Sequence, residues 1–177
     1  NPGYLDLIGR YAQVRGLLED PRVRIHIDDG RRWLRAHPGE RFDLIFQNTT
    51  FHWRASATNL LSREHFALSR ARLAPGGILA VNGTGSADVV ETARAVFPHV
   101  RVHRGFVYMS DAPLQADPSA EAALRAARVG AAPAFAEDAF APGGIAHGVL
   151  AFAASTEPGA MARQGQGPAP AVITDLN

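Results

Sequence analysis

The chain has 177 residues, of which 46% are hydrophobic and 20% are charged, so it can bury one sizeable core and is unlike a disordered protein. Its formal net charge is only +1 and its arginines are scattered, which disfavours nucleic acid as a partner. Cysteine is absent, which excludes disulfides, thiolate metal sites and a thiol nucleophile.

The first forty residues predict a helix, a strand and a second helix. Apolar residues recur at helical spacing between Tyr4 and Leu18 and stop before Pro21, which indicates one amphipathic helix. Apolar residues alternate with polar ones over residues 23–27, directly before an Asp-Asp-Gly turn, which predicts a short strand. Residues 31–36 then predict a short helix.

A nearly continuous apolar run at residues 42–46 predicts a central strand that is covered on both faces. A polar and aromatic loop follows over residues 47–58. Residues 60–73 predict a helix that ends at Ala74-Pro75-Gly76-Gly77, because proline and paired glycines do not continue a helix. A strand at residues 78–81 comes next.

The rest of the chain continues the alternation of helices and strands. The pattern predicts βαβ units, and hence an α/β domain with a mostly parallel sheet flanked by helices. We expect a single domain over residues 1–177, with its core in 1–110 and a less certain part from 111 onward. The later predicted elements are a helix at 87–97, strands at 100–103 and 106–109, a helix at 119–129, a strand at 148–154 and a flexible linker at about 157–170.

In an α/β sheet, ligands bind beyond the carboxyl ends of the strands, and the first such place here is the Asp-Asp-Gly turn. The Asp29 carboxylate could accept a hydrogen bond from an adenine amino group, while Gly30 keeps the backbone close to the ring. The alternative is that Asp29 only caps the following helix. Both interpretations remain open on the sequence.

The second place is the loop after the apolar strand, which begins with Asn48 and Thr49 and contains His52. Amide groups and a titratable imidazole at one strand end suit a ligand, and His52 could act as a general base near neutral pH. The alternative is a hydrogen-bonded loop with Phe51 and Trp53 packed into the core.

A third strand end, Asn82-Gly83-Thr84-Gly85, suggests a dinucleotide-binding turn only weakly. Asp88 stands where the third glycine of that motif belongs, and no acidic residue follows about twenty positions later to hold a ribose. No two histidines lie four positions apart on a predicted helix, so we expect no metal site.

Several blocks of the sequence resemble polyamine aminopropyltransferases, the spermidine-synthase-like family, in their residues, order and spacing. The end of the chain, Ile173-Thr174-Asp175-Leu176-Asn177, is similar to a Thr-Asp-Asp-Asn element of some members. The stretch from Asn48 to Ser62 is most similar to members fused to membrane transporter-like segments. The matching blocks are residues 20–31, 42–45, 61–66, 73–79 and 96–100.

The resemblance implies a Rossmann-like fold of the S-adenosylmethionine-methyltransferase type, with the first strand lying before Asn1. It implies decarboxylated S-adenosylmethionine, or S-adenosylmethionine itself, as a substrate, an amine as the second substrate and no metal. Asp29 and Gly30 fall where the family contacts adenine, and Asn48 and Thr49 are candidates for nucleoside contact as well. Asn48 also falls at the position of the family's catalytic aspartate.

The same resemblance leads to three functional hypotheses. The first is an aminopropyltransferase domain whose activity is degenerate, with Asn48 and His52 as candidate catalytic residues. The second is a small-molecule methyltransferase, and the third is a non-catalytic binding or oligomerisation module of the same fold. We expect a cytoplasmic location, either as a free domain or as the soluble part of a membrane protein with an upstream membrane segment, and the family leaves a homodimer open.

Overall fold

The protein is described by a computed structural model covering residues 2–48, 58–115, 117–129, 131–154 and 169–175. The chain forms two compact units, residues 1–38 and 39–177. The single-domain interpretation therefore stays a prediction. Among the described helices, none is both long and apolar enough to cross a lipid bilayer.

The first unit contains three helices: α1 (Pro2–Gly9), α2 (Ala12–Glu19) and α3 (Gly30–Ala36). The prediction of one helix from Tyr4 to Leu18 is wrong, because the helix is interrupted after Gly9. Tyr11 has an extended backbone, with φ −108° and ψ 110°, and α2 begins directly after it. Glycine stabilises a helix interior poorly, which favours a break at this point.

The prediction of a strand at residues 23–27 is also wrong. This segment is assigned to no strand, and Ile25 and Ile27 are 42% and 55% exposed. A strand forms only when a neighbour satisfies its backbone N–H and C=O groups, and no segment among the described residues pairs with this one. Alternation of apolar residues cannot supply that neighbour.

The second unit is built on a four-stranded sheet whose strand order is β1-β2-β4-β3. β1 and β2 are parallel, whereas β4 runs antiparallel to both of its neighbours. Three of the four strands therefore point the same way, and the reversed strand, β4, lies between two of them. The strands are β1 (Phe42–Gln47), β2 (Leu73–Asn82), β3 (His99–His103) and β4 (Phe106–Ser110).

The reversed strand follows from the tight connection between β3 and β4. Arg104 and Gly105 both have positive φ, 46° and 83°, and they are the two residues that join the strands. Such a two-residue connection makes an antiparallel hairpin. The mixed α/β sheet flanked by helices agrees with the predicted Rossmann-like fold class, although the hairpin makes two of its three strand pairings antiparallel.

Among the described residues, four helices and a small ribbon complete the second unit. The helices α4 to α6 are shorter than predicted, and each ends three residues before its predicted end. The elements are α4 (Arg63–Arg70), α5 (Ala87–Arg94), α6 (Ala120–Ala126), α7 (Ile145–Ala154), the ribbon strands β5 (Arg128–Val129) and β6 (Ala132–Pro133), and the 3-10 turns Thr58–Leu60 and Glu137–Phe140.

The prediction of a late strand at residues 148–154 is wrong, since this segment is part of the helix α7. A short apolar run cannot be assigned to helix or strand by periodicity alone. The alanines of α7, which include Ala146 and Ala151, have the highest helix propensity and favour the helix.

One face of the sheet packs against α4 and α5 and forms the apolar core. Phe66 of α4 is fully buried in this cluster, and Ile173 from the end of the chain packs against it. The fully buried strand residues are Leu79, Val81, Val107 and Met109, and the α5 residues Val89 and Ala93 cover them.

The opposite face carries several aromatic rings and a buried arginine, and we call it the aromatic face. The strand register brings Phe46, Phe106 and Tyr108 to this face together with Arg101 and His103. The Phe46 and Phe106 rings stack at 5.3 Å between centroids.

The apolar sequence of β1 predicts a strand that is covered on both faces, and this prediction is wrong. Leu44 and Phe46 are 56% and 59% exposed. β1 lies at the edge of the sheet formed by the described residues, so it lacks the second neighbour and the covering layer that bury a central strand.

Residues 74–77, where the sequence predicts the end of a helix, lie within β2 and align it with β1. Gly76 has a φ of +76°, and the β1–β2 register shifts at this point. A Cβ on Gly77 would lie 2.8 Å from the Phe42 carbonyl oxygen and 3.0 Å from that of Ala74, so only glycine fits without movement of the backbone. The close approach sets β1 and β2 side by side up to their carboxyl ends.

Candidate active site

Two asparagines meet where the parallel strands β1 and β2 end. Asn48 follows β1 and Asn82 is the last residue of β2, and the pairing of Gln47 with Val81 brings them together. The Asn82 side-chain amide donates a hydrogen bond of 3.0 Å to Oδ1 of Asn48. Asn48, a predicted site residue, is therefore exposed at the strand end with a defined orientation.

The other end of the Asn82 amide stabilises the turn before α5. Its Oδ1 accepts a hydrogen bond of 2.9 Å from the backbone N–H of Thr84, which has a positive φ of 52°. Gly83 donates to the Gly105 carbonyl at 2.8 Å, which ties this turn to the β3–β4 hairpin. The segment has the contacts of a self-supporting turn, in keeping with its weak match to a dinucleotide-binding motif.

A second set of hydrogen bonds joins the end of β1 to the chain that returns from the following loop. The Gln47 amide donates to the Leu60 carbonyl at 2.8 Å, and its Oε1 lies 2.7 Å from Nε2 of His65. Because Oε1 can only accept, this nitrogen of His65 carries the proton. His65 is almost fully buried, so it acts as a structural link between β1 and α4.

The end of the chain attaches to the start of α4. Ser62 caps this helix by accepting a hydrogen bond of 3.2 Å from the N–H of His65. Its hydroxyl lies 2.6 Å from Oδ1 of Asp175, and the Arg63 N–H donates to the Ile173 carbonyl at 2.8 Å. One fully buried hydroxyl thus serves the helix and the terminal segment together.

The same terminal segment, residues 171–175, is also attached to α5. Ala171 donates to the Asp88 carboxylate at 2.9 Å, and Ile173 donates to Oγ1 of Thr92 at 2.8 Å. The segment therefore contacts both helices that cover the core. Asp88, which stands where the third glycine of the dinucleotide-binding motif belongs, therefore has a structural role, because its carboxylate binds the N–H of Ala171.

The Glu64 carboxylate accepts hydrogen bonds at the start of α4. The backbone N–H of Glu64 itself and then that of Asp175 stabilise the charged form, with a further contribution from Arg63, and together they lower the pKa of Glu64. The Asp175 N–H lies 3.0 Å from Oε2 of Glu64. At neutral pH, Glu64 is therefore an anion at a helix start, where negative charge is favourable.

Replacing Ser62 with alanine removes the helix cap and the hydroxyl bound to Asp175 at once. We expect the free energy of unfolding to fall by about 1–3 kcal/mol, because the cap and the hydrogen bond of the buried Ser62 hydroxyl to Asp175 are both lost. Denaturant unfolding followed by circular dichroism measures the change. Ser86 is the matched control, since it stands at the N-cap of α5 without a side-chain cap hydrogen bond. An equal loss in Ser62→Ala and Ser86→Ala would contradict this role.

In the first unit, Asp29 is the N-cap of α3. Its Oδ1 accepts a hydrogen bond of 2.8 Å from the backbone N–H of Arg32, as the capping interpretation predicts. Asp28 pairs with the Arg32 guanidinium, and that hydrogen bond lowers the pKa of Asp28. Gly30 begins the helix, and a Cβ built there would meet no described atom within 4 Å.

The other predicted site residues, Thr49 and His52, lie outside the described residues, as do Phe51 and Trp53. Their roles stay predictions. In the described part of the chain, no group of three or more histidine, aspartate or glutamate side chains could hold a metal ion.

No protein-family model matches the chain. It is 36% identical over 73 residues to a polyamine aminopropyltransferase of Corynebacterium efficiens, a match that covers 40% of this chain and 14% of that protein. It is 30% identical over 101 residues to polyamine aminopropyltransferase 2 of Pseudomonas aeruginosa, covering 52% and 29% respectively. The matches thus span less than a third of the length of these curated relatives.

Among solved structures, a probable spermidine synthase from Corynebacterium glutamicum aligns with 89% of this chain and 63% of its own, at 21% identity and a TM-score of 0.43. Over the matched residues, the chain is similar in sequence to polyamine aminopropyltransferases.

Proposed function

We propose that the chain is an aminopropyltransferase domain that transfers the aminopropyl group of decarboxylated S-adenosylmethionine to an amine, at a rate reduced by the loss of the usual acid. The observation that carries the proposal is Asn48 at the carboxyl end of β1, beside Asn82 at the end of β2. This is the edge of an α/β sheet at which ligands bind, and it is the family's position for its catalytic aspartate.

In this reaction, the amine nitrogen attacks the methylene carbon attached to the sulfonium. A carbon–nitrogen bond forms, the carbon–sulfur bond breaks, and sulfur leaves as a neutral thioether with the electron pair. A primary amine is an ammonium ion at neutral pH, so it must lose one proton before its nitrogen can attack. Positioning the two reactants supplies much of the acceleration, and removal of the amine proton supplies the remainder.

An asparagine can help to position the amine, but it cannot remove the amine proton. The Asn48 carbonyl oxygen accepts a hydrogen bond from Asn82, and its lone pairs can also orient an amine N–H. An amide cannot take a proton at neutral pH, nor can it balance the charge of an ammonium. We therefore assign proton removal to His52, four residues further along the chain.

We assign the adenine contact to Asp29 and Gly30. Thr49, which follows Asn48 in the sequence, is a further candidate for contact with the nucleoside. The cap hydrogen bond occupies Oδ1 of Asp29, and a carboxylate has further acceptor sites for an adenine amino group.

The test is an assay of the purified protein with decarboxylated S-adenosylmethionine and putrescine. We expect slow formation of the aminopropylated amine, detected by mass spectrometry, and a fall of about 10²-fold or more in His52→Ala. His147, exposed on α7, provides the control, since His147→Ala should leave the rate unchanged. Calorimetry with the same nucleoside measures binding separately.

Three results would overturn the proposal. Methyl transfer from S-adenosylmethionine with no use of its decarboxylated form would make the chain a methyltransferase. Binding of the decarboxylated nucleoside without turnover would indicate a binding module. Equal rates in His52→Ala and the unmodified protein would remove His52 from the mechanism.

A further inference from the structure

A cavity of about 470 Å³ lies on the aromatic face of the sheet, entirely within the second unit. Strand residues form its floor, and Val149 and Phe152 of α7 form one wall. Its size is in the range of small-molecule sites, which are mostly apolar with a few polar groups that fix the orientation of the ligand. The polar groups of this cavity therefore indicate which class of molecule it takes.

Two of these polar groups belong to the rings of His103 and Tyr108. The His103 ring stacks on Phe152 at 4.3 Å between centroids, and the Tyr108 ring lies 5.4 Å from the same ring. Both side chains are half-buried. In the described part of the chain, neither the Tyr108 hydroxyl nor the His103 imidazole has a hydrogen-bond partner. Both are therefore available to a molecule that enters the cavity.

The two rings are uncharged at neutral pH. Burial, with the charges of Arg104 and Arg101, lowers the pKa of His103, and burial raises the pKa of Tyr108. His103 thus offers one N–H donor and one nitrogen acceptor, and the Tyr108 hydroxyl can donate or accept. A ligand that forms hydrogen bonds with these groups gains more than a ligand that only fills the space.

Arg101 also lines the cavity, but its guanidinium is part of the fold. It donates hydrogen bonds to the carbonyls of Leu114 and Phe152, and it lies 4.2 Å from the centre of the Phe152 ring. These contacts hold the end of α7 over the sheet. We therefore assign Arg101 a structural role and give its charge no part in ligand recognition. No described residue of the lining is acidic, so a cation finds no counter-charge there either.

We propose that this cavity binds a small uncharged heteroaromatic molecule, whose ring packs against Phe152 and Val149 and whose N–H and acceptor groups pair with Tyr108 and His103. Aromatic rings attract one another in offset and edge-to-face arrangements, which favours a flat aromatic body. A charged ligand would lose its hydration without gaining an ion pair, and that loss costs free energy.

This cavity is separate from the candidate active site at the end of β2. His103 pairs with Phe106, and Phe106 pairs with Asn82, so His103 lies two strands from Asn82, or about 10 Å at the usual strand spacing. The proposal needs no activity at the strand ends. The two sites can therefore be tested independently, and failure of one leaves the other intact.

The experiment uses three probes that share an indole ring and differ in charge: neutral indole-3-acetamide, anionic indole-3-acetate and cationic tryptamine. Titrations of the whole chain are followed by calorimetry and by the backbone amide NMR signals of residues 106–110 and 149–152. We expect the neutral amide to bind with a Kd of about 1 mM or tighter, and about tenfold more tightly than either charged probe.

Two variants test the site with the neutral probe. Tyr108→Phe removes only the hydroxyl and should weaken binding about three- to tenfold, whereas Tyr4→Phe, at a 65% exposed position of the first unit, should not. Val149→Trp fills the cavity from an exposed position and should weaken binding about tenfold or more. Ile145→Trp is its control, on the same helix but outside the lining.

The proposal is overturned by any of four results. These are no saturable binding of indole-3-acetamide, binding of either charged probe as tight as that of the amide, equal affinities in Tyr108→Phe and Tyr4→Phe, or equal affinities in Val149→Trp and Ile145→Trp. The Val149 variant keeps the test decisive if Tyr108→Phe fails to fold, because Val149 is exposed on the surface of α7.

Discussion

Asn48→Asp is expected to raise the rate of aminopropyl transfer by about 10²- to 10⁴-fold, the usual contribution of a positioned general base. The substitution keeps the size of the side chain, and the Asn82 amide can donate to a carboxylate as it does to the amide oxygen. A carboxylate at this strand end can take the proton of the attacking amine and balance its charge, which an amide cannot do. The assay with decarboxylated S-adenosylmethionine and putrescine measures the change.

Asn82→Asp is the matched control for this gain of activity. It places a carboxylate across the same hydrogen bond, but on β2 and in the position that also supports the Thr84 turn. We expect no increase in rate from this variant. If Asn48→Asp stayed within twofold of the unmodified protein while still binding the nucleoside, proton removal at this position would not limit the reaction.

Phe66→Ala is expected to lower the free energy of unfolding by about 3–5 kcal/mol, because it removes a fully buried ring and leaves a cavity in the core. Such a loss is a large fraction of the stability of a typical domain. Guanidinium unfolding followed by circular dichroism measures it.

Phe46→Ala removes the same side chain from the exposed edge strand. Phe46 is 59% exposed and, among the described rings, stacks against Phe106, so we expect a loss of about 1 kcal/mol or less. Equal losses in the two variants would mean that the aromatic face is as well packed as the core, which would contradict the exposure of β1.

The sequence predicts well those elements whose pattern is local. The strand at Phe42 follows from an apolar run, and α4, β3 and β4 also overlap the segments predicted as a helix and two strands. The two wrong strands, at 23–27 and 148–154, fail for a different reason. Whether an apolar segment becomes a strand depends on a neighbouring strand, which periodicity does not reveal.

The candidate site was predictable only in part. Asn48 could be placed at a strand end from the pattern of polar residues after β1. Its hydrogen bond to Asn82 spans 34 positions, and the bond between Ser62 and Asp175 spans 113. Ser62 and Asp175 both lie in segments that resemble the family. That resemblance is the one feature of the sequence that could have indicated that the two segments meet.

The attachment of residues 171–175 to α4 and α5 means that these residues are part of the packed structure of the second unit. Ile173 fills a place on the apolar cluster, so a shortened version ending after α7 would expose that cluster to water. The stretch between α7 and Ala171 starts and ends on the same unit, and doubling its length would cost only about 0.6 kcal/mol in closure entropy. Insertions between α7 and Ala171 should therefore be tolerated, whereas removal of residues 171–175 should destabilise the fold.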